Sequence, residues 1–141
     1  MKVDFAFLAD GAEAIGGKLY VLGGAFDTIW AKKFPAVHPK ISFVMRMIFE
    51  PAELDRKHNL EILLMDEDGK NIAKAGGPLE IKKSEKTYKG WPHPFLAVMN
   101  FINLSFPKTG DYSFNIVCNN NAIKSVPLRV ASIIETTITP Q

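Results

Sequence analysis

The chain has 141 residues, 47% hydrophobic and 23% charged, and its 17 Lys and Arg against 15 Asp and Glu leave a net charge of +2. That length suits one domain, here residues 1–141, with a core that needs no disulfide or metal, and the composition excludes disordered and fibrous classes and offers no long basic block for nucleic acid. One cysteine, Cys118, cannot close an intrachain disulfide, and no apolar run approaches the roughly 18 residues of a spanning helix, so a cytoplasmic location is expected.

In chain order, the opening apolar stretch is interrupted by Asp4 and closed by Asp10, too short and too charged for a secretory leader. The run GKLYVLGGAFDTIW, Gly17 to Trp30, carries the pair Gly23-Gly24. It lacks the lysine and helix start of a phosphate loop and the third glycine of a dinucleotide fingerprint, so the pair is read as a bend or bulge in a strand. AKKFPAVHPK, Ala31 to Lys40, reads as an irregular, rigid crossover between two sheets. In ISFVMRMIFE the residues Ile41, Phe43, Met45, Met47 and Phe49 share one face at period two, the spacing of a half-buried strand. EPAELDRKHN is the best helix candidate, with Pro51 suited to a first turn, and otherwise a polar loop.

HNLEILLMDEDG buries Leu60, Ile62 and Leu64 and ends in the turn signal Asp68-Gly69. The acidic run Asp66 to Asn71 departs from a calcium loop, because Lys70 takes a ligand position and Gly77 stands at the twelfth. A hairpin turn between Met65 and Ile72 is expected instead. KKSEKTYKGWPHP, Lys82 to Pro94, is irregular and rich in lysine. FLAVMNFINLSF, Phe95 to Phe106, is apolar on both faces and predicts a central strand. DYSFNIVCNN places Tyr112, Phe114, Ile116 and Cys118 together, NNNA from Asn119 to Ala122 reads as a hairpin, and KSVPLRVAS turns Val126, Leu128 and Val130 inward. Pro127 lacks an N–H, so its nitrogen is expected at an edge or facing solvent.

Seven to nine short strands separated by turn residues predict an all-β, antiparallel, immunoglobulin-like sandwich, with a closed barrel as the alternative. No motif for chemistry stands out. Cys118 shares a face with Phe114 and Ile116 and is read as buried and inert. His38, His58 and His93 lack the spacing of a zinc site. No catalytic residue, cofactor or metal is assigned. Two candidate sites are named: a basic and aromatic loop of Lys82, Lys83, Lys86, Tyr88, Lys89 and Trp91, suited to nucleic acid or an anionic surface, and a pocket between crossover loops built from Asp10, Asp27, His38 and His93.

FLADGAEAIGGKLYVLGGAFDTIW, followed by FPAVHPKISFVMRM, and the ending FPKTGDYSFNIVCNNNAIKSVPLRV together resemble a bacterial family classed as a domain of unknown function. The resemblance covers nearly the whole chain and implies a compact sandwich, with no activity, cofactor or catalytic residue to carry across. The expected function is non-catalytic binding or assembly through protein–protein contacts, self-association included, using exposed strand edges and outer apolar positions such as Val44, Ile48, Leu63 and Met65. A ligand-binding or hydrolytic sandwich using the four-residue pocket, and binding through the Lys82–Trp91 loop, are the alternatives; nucleic acid ranks below a protein partner.

Overall fold

The computed structural model describes residues 1–84 and 89–133. Within them lie nine strands: β1 (Lys2–Ile15), β2 (Lys18–Gly24), β3 (Thr28–Ala31), β4 (Ala36–Phe49), β5 (Lys57–Met65), β6 (Asn71–Glu80), β7 (His93–Phe106), β8 (Gly110–Cys118) and β9 (Asn121–Ser132). They form a four-stranded sheet in the order β2-β1-β4-β7 and a five-stranded sheet in the order β3-β9-β8-β5-β6. Every pair is antiparallel except β3 with β9. The two sheets pack face to face as a β-sandwich, and among the described residues no ladder joins them into a barrel.

The period-two reading locates the core. Ile41, Phe43, Met45, Met47 and Phe49 of β4 are fully buried and meet Leu60, Ile62 and Leu64 of β5, Tyr112, Phe114, Ile116 and Cys118 of β8, and Val126, Leu128 and Val130 of β9. Phe114 holds the middle, with its ring centroid 5.7 Å from that of Phe43 and 5.2 Å edge-on from that of Phe101. Burying side chains of this size is the dominant favourable term in folding.

The turns follow the sequence signals. Asp66 closes the β5–β6 hairpin by accepting the amides of Asp68 and Lys70 on one carboxylate oxygen, so the acidic run is a turn of the Asx kind. Asn119 and Asn120 adopt φ of 50° and 68°, the left-handed pair of a tight β8–β9 hairpin. Arg129 donates its amide to the Asp27 carbonyl beside β3, and Pro127, two residues earlier, turns its nitrogen to the same side before β3 begins. No ladder bond is lost there.

Three expectations need correction. Phe95–Phe106 lies in β7, which is an edge strand and not a central one. Its apolar character on both faces has two sources: Phe95, Ala97 and Met99 pack on the core while Val98 packs on the outer face, and at Asn103, with φ 52°, the buried set changes parity from Phe101 to Leu104 and Phe106, leaving Ile102 exposed. Val44 is no outward contact point, since it is fully buried with Ala9 and Ala12 beneath Phe5, Phe7, Leu19 and Val98; Ile48, Leu63 and Met65 are half-buried. The Ala31–Lys40 crossover is shorter than expected, because Ala36–Lys40 is already β4. The helix candidate amounts to one 3-10 turn, Pro51–Glu53, and no helix among the described residues is long and apolar enough to cross a membrane.

Candidate functional site

Beyond Ala9 the β1–β4 ladder stops at its pairing with Ser42, yet β1 continues to pair with β2 from Gly11 opposite Leu22 to Ile15 opposite Lys18. β4 also continues, from Lys40 back to Ala36 against β7, so the last rungs of β1 and β2 part from it as a two-stranded arm. Gly16 and Gly17, at φ 59° and 75°, form its tip, the geometry a two-residue hairpin requires. At the root Gly23 sits at φ 59°, and the Asp10 carboxylate occupies the space a Cβ there would need. Gly23 takes the left-handed backbone within β2, and the Asp10 carboxylate beside it gives that bend an acidic lining.

The arm carries large apolar side chains without a core to receive them. Ile15 is 56% exposed, Tyr20 57% and Leu22 77%, with Val21 also exposed. β2 is the outermost strand of its sheet, so the backbone groups along its free edge face no strand. Leu19, opposite Ala14 and one rung from the tip, packs against the Ala9, Ala12 and Val44 cluster, so the arm is held along one face while Tyr20, Leu22 and Ile15 stay in water.

Between the arm and the neighbouring strands runs a groove of about 670 Å³, walled by Leu19, Tyr20 and Leu22 on one side and by Lys40 and Asn100 on the other, over Gly11. The Lys40 ammonium lies 4.0 Å from where a Gly11 Cβ would stand. Ser42 is fully buried under this surface and donates its hydroxyl to the Asn100 side-chain oxygen at 2.7 Å. Lys40 and Glu13 are exposed, and neither has an ion-pair partner among the described residues. A groove with apolar and polar walls and one charge of each sign, beside a ribbon whose outer strand has a free edge, has the chemistry to hold a polypeptide segment.

The residues singled out from sequence lie elsewhere. His38 pairs across from Leu104 and His93 across from Phe49, at opposite ends of the β4–β7 ladder, roughly 35 Å apart at about 3.3 Å per residue. Asp10 is taken up beside Gly23, while Asp27 accepts the Thr28 hydroxyl at 2.9 Å and receives the Arg129 amide on its carbonyl. The four do not converge on one cavity.

In the basic loop, Lys82 pairs with Glu80 at 2.8 Å, and that carboxylate holds its ammonium above the usual lysine range. The Lys83 amide is bound by Asp55. Lys83, Lys89 and Trp91 border a small cavity of about 210 Å³ with Pro51 and Leu54. Lys86 and Tyr88 lie outside the described residues.

His58 is buried with both ring nitrogens engaged: Nε2–H donates to the Glu53 carbonyl at 2.8 Å, and Nδ1 accepts the Asn119 amide at 3.0 Å. It is a structural pin. Cys118 is buried, and its thiol points to the Met1 sulfur at 3.1 Å. Among the described residues no group of three or more His, Cys, Asp or Glu is placed to hold a metal.

Sequence reasoning passed over Ile15, Tyr20, Leu22, Glu13 and Lys40. The available signal was the unbroken apolar run Leu19–Leu22 between two glycine pairs, which departs from the one-in, one-out spacing of a strand covered on one face only. The model of a family of unknown function (DUF6941) matches residues 4–131, so the chain belongs to that family. No curated protein and no solved structure matches it.

Proposed function

We propose that this member of the family is a non-catalytic docking and assembly protein that takes hold of another polypeptide through the β1–β2 arm and the groove at its root. The observation that carries this reading is the exposure of Ile15, Tyr20 and Leu22 on a projecting ribbon. A two-stranded ribbon is marginal in water by itself. Apolar surface left in water forgoes about 25 cal/mol per Å², and contact with a partner is the physical event that recovers it. The free edge of β2 adds backbone donors and acceptors for an incoming strand.

The other readings have less support. A ligand-binding or hydrolytic pocket needs Asp10, Asp27, His38 and His93 together, and the two histidines sit at opposite strand ends. Anion binding through the basic loop is weakened by Glu80, which already pairs with Lys82.

A photo-reactive residue placed at Tyr20, in the source cell, is expected to give a discrete covalent adduct, while the same residue at exposed Lys124 on β9 gives none. No adduct at Tyr20, or equal labelling at both positions, overturns the proposal.

A further inference from the structure

We propose that the partner is a second copy of this chain, docked about a two-fold axis so that each arm lies in the other's groove, with Glu13 of one copy against Lys40 of the other. This rests on the docking reading above and names its occupant.

A two-fold contact requires one surface that carries both halves of the fit. Here Tyr20 and Leu22, both exposed, form one wall of the groove over Gly11, so one surface of the chain offers both the apolar side chains and the space beside them. Charge points the same way. Glu13 on the arm and Lys40 on β4 line the same groove, both exposed and both without an ion-pair partner among the described residues. A foreign partner would have to bring an acid and a base to matching places, whereas a second copy already carries both, and the two-fold axis makes the pair twice.

Size sets the strength. The arm is about 17 Å long and 10 Å wide, so burying one face of each arm and the strip it covers removes roughly 700 Å² in all. Stable interfaces bury about 1,200–2,000 Å², so the dimer is weak and depends on concentration. Its apolar share persists in salt, while the Glu13–Lys40 share is screened.

Sedimentation velocity on the wild-type chain from about 10 µM to about 1 mM should show a monomer passing to a dimer, as befits a contact of this size. E13K and K40E each set like charges face to face and should weaken self-association roughly tenfold, since the contact occurs twice. Mixing the E13K chain with the K40E chain should restore a heterodimer, because opposite charges then meet at both contacts. Both side chains are exposed, so thermal melts of the two variants should match the wild type.

A wild-type chain that stays monomeric over the whole range, variants that associate like the wild type, or a mixture that stays monomeric each overturns the self-docking proposal. If the wild type is monomeric while the Tyr20 photo-adduct contains a different protein, the docking reading stands and this one fails. If Tyr20 captures nothing as well, both fail.

Discussion

Cys118 illustrates how one residue's surroundings decide its chemistry. Burial at the end of β8 pushes its thiol above the ordinary cysteine range, and the Glu53 carboxylate pushes the same way. A thiol that resists ionisation is a poor nucleophile. At pH 8 the folded protein is expected to react with a soluble thiol reagent at least roughly 100-fold more slowly than the unfolded chain, with the rate following unfolding; labelling as fast as free cysteine overturns this. The sign for stability follows from linkage. Both states keep the proton at neutral pH, and stability is lost as pH rises past the unfolded thiol's value of about 8.5 toward the raised folded value. That alkaline loss should shrink in Cys118→Ala when unfolding is followed against pH. The alternation of Tyr112, Phe114, Ile116 and Cys118 was enough to place this thiol inside. No period announces the Glu53 carboxylate, because it arrives from another element.

Among the elements, the strands were readable wherever one face meets the core and the other meets water, as in β4, β5, β8 and β9. The hairpins were readable where a residue type is demanded by the backbone, as at Asn119 and Asn120. Asn119 does more than turn: its side-chain oxygen accepts the Asn59 amide at 2.8 Å and its amide nitrogen donates to His58. Gly76 in β6 is a second demanding position, at φ 105°, with the Leu60 carbonyl of β5 where a Cβ would go. Gly76→Ala should cost about 1–3 kcal/mol from backbone strain alone, and more if β5 must shift. The check is a denaturant midpoint that falls at unchanged slope; a wild-type midpoint overturns it. β7 misled because Val98 packs on an outer cluster while Phe95, Ala97 and Met99 face the core, and because the buried set changes parity at Asn103, from Phe101 to Phe106. Period alone cannot tell that from a central strand.

For the whole molecule, the two sheets share one continuous cluster of buried side chains, and Phe114 touches both through Phe43 and Phe101 of the four-stranded sheet. Phe114→Ala should cost about 3–5 kcal/mol, the usual range for emptying a fully packed aromatic site. Because the core is shared, far-UV dichroism and tryptophan fluorescence should report the same shifted transition. Two separate transitions would mean that the sheets unfold independently.

By itself the sequence determined that the chain is built of strands, which residues of most strands face inward, where the chain turns, and that Cys118 is buried. All of these depend on neighbours a few residues away, and the two-residue repeat records them directly. Only the tertiary structure decided which strands lie at the edges, that β1 and β2 part from β4 beyond Ala9 to form the arm, that His38 and His93 end far apart, and that Glu13 and Lys40 stand beside one groove without an ion-pair partner among the described residues. Those facts depend on which distant segments pair and where each ladder stops, and a one-dimensional spacing pattern carries no record of that.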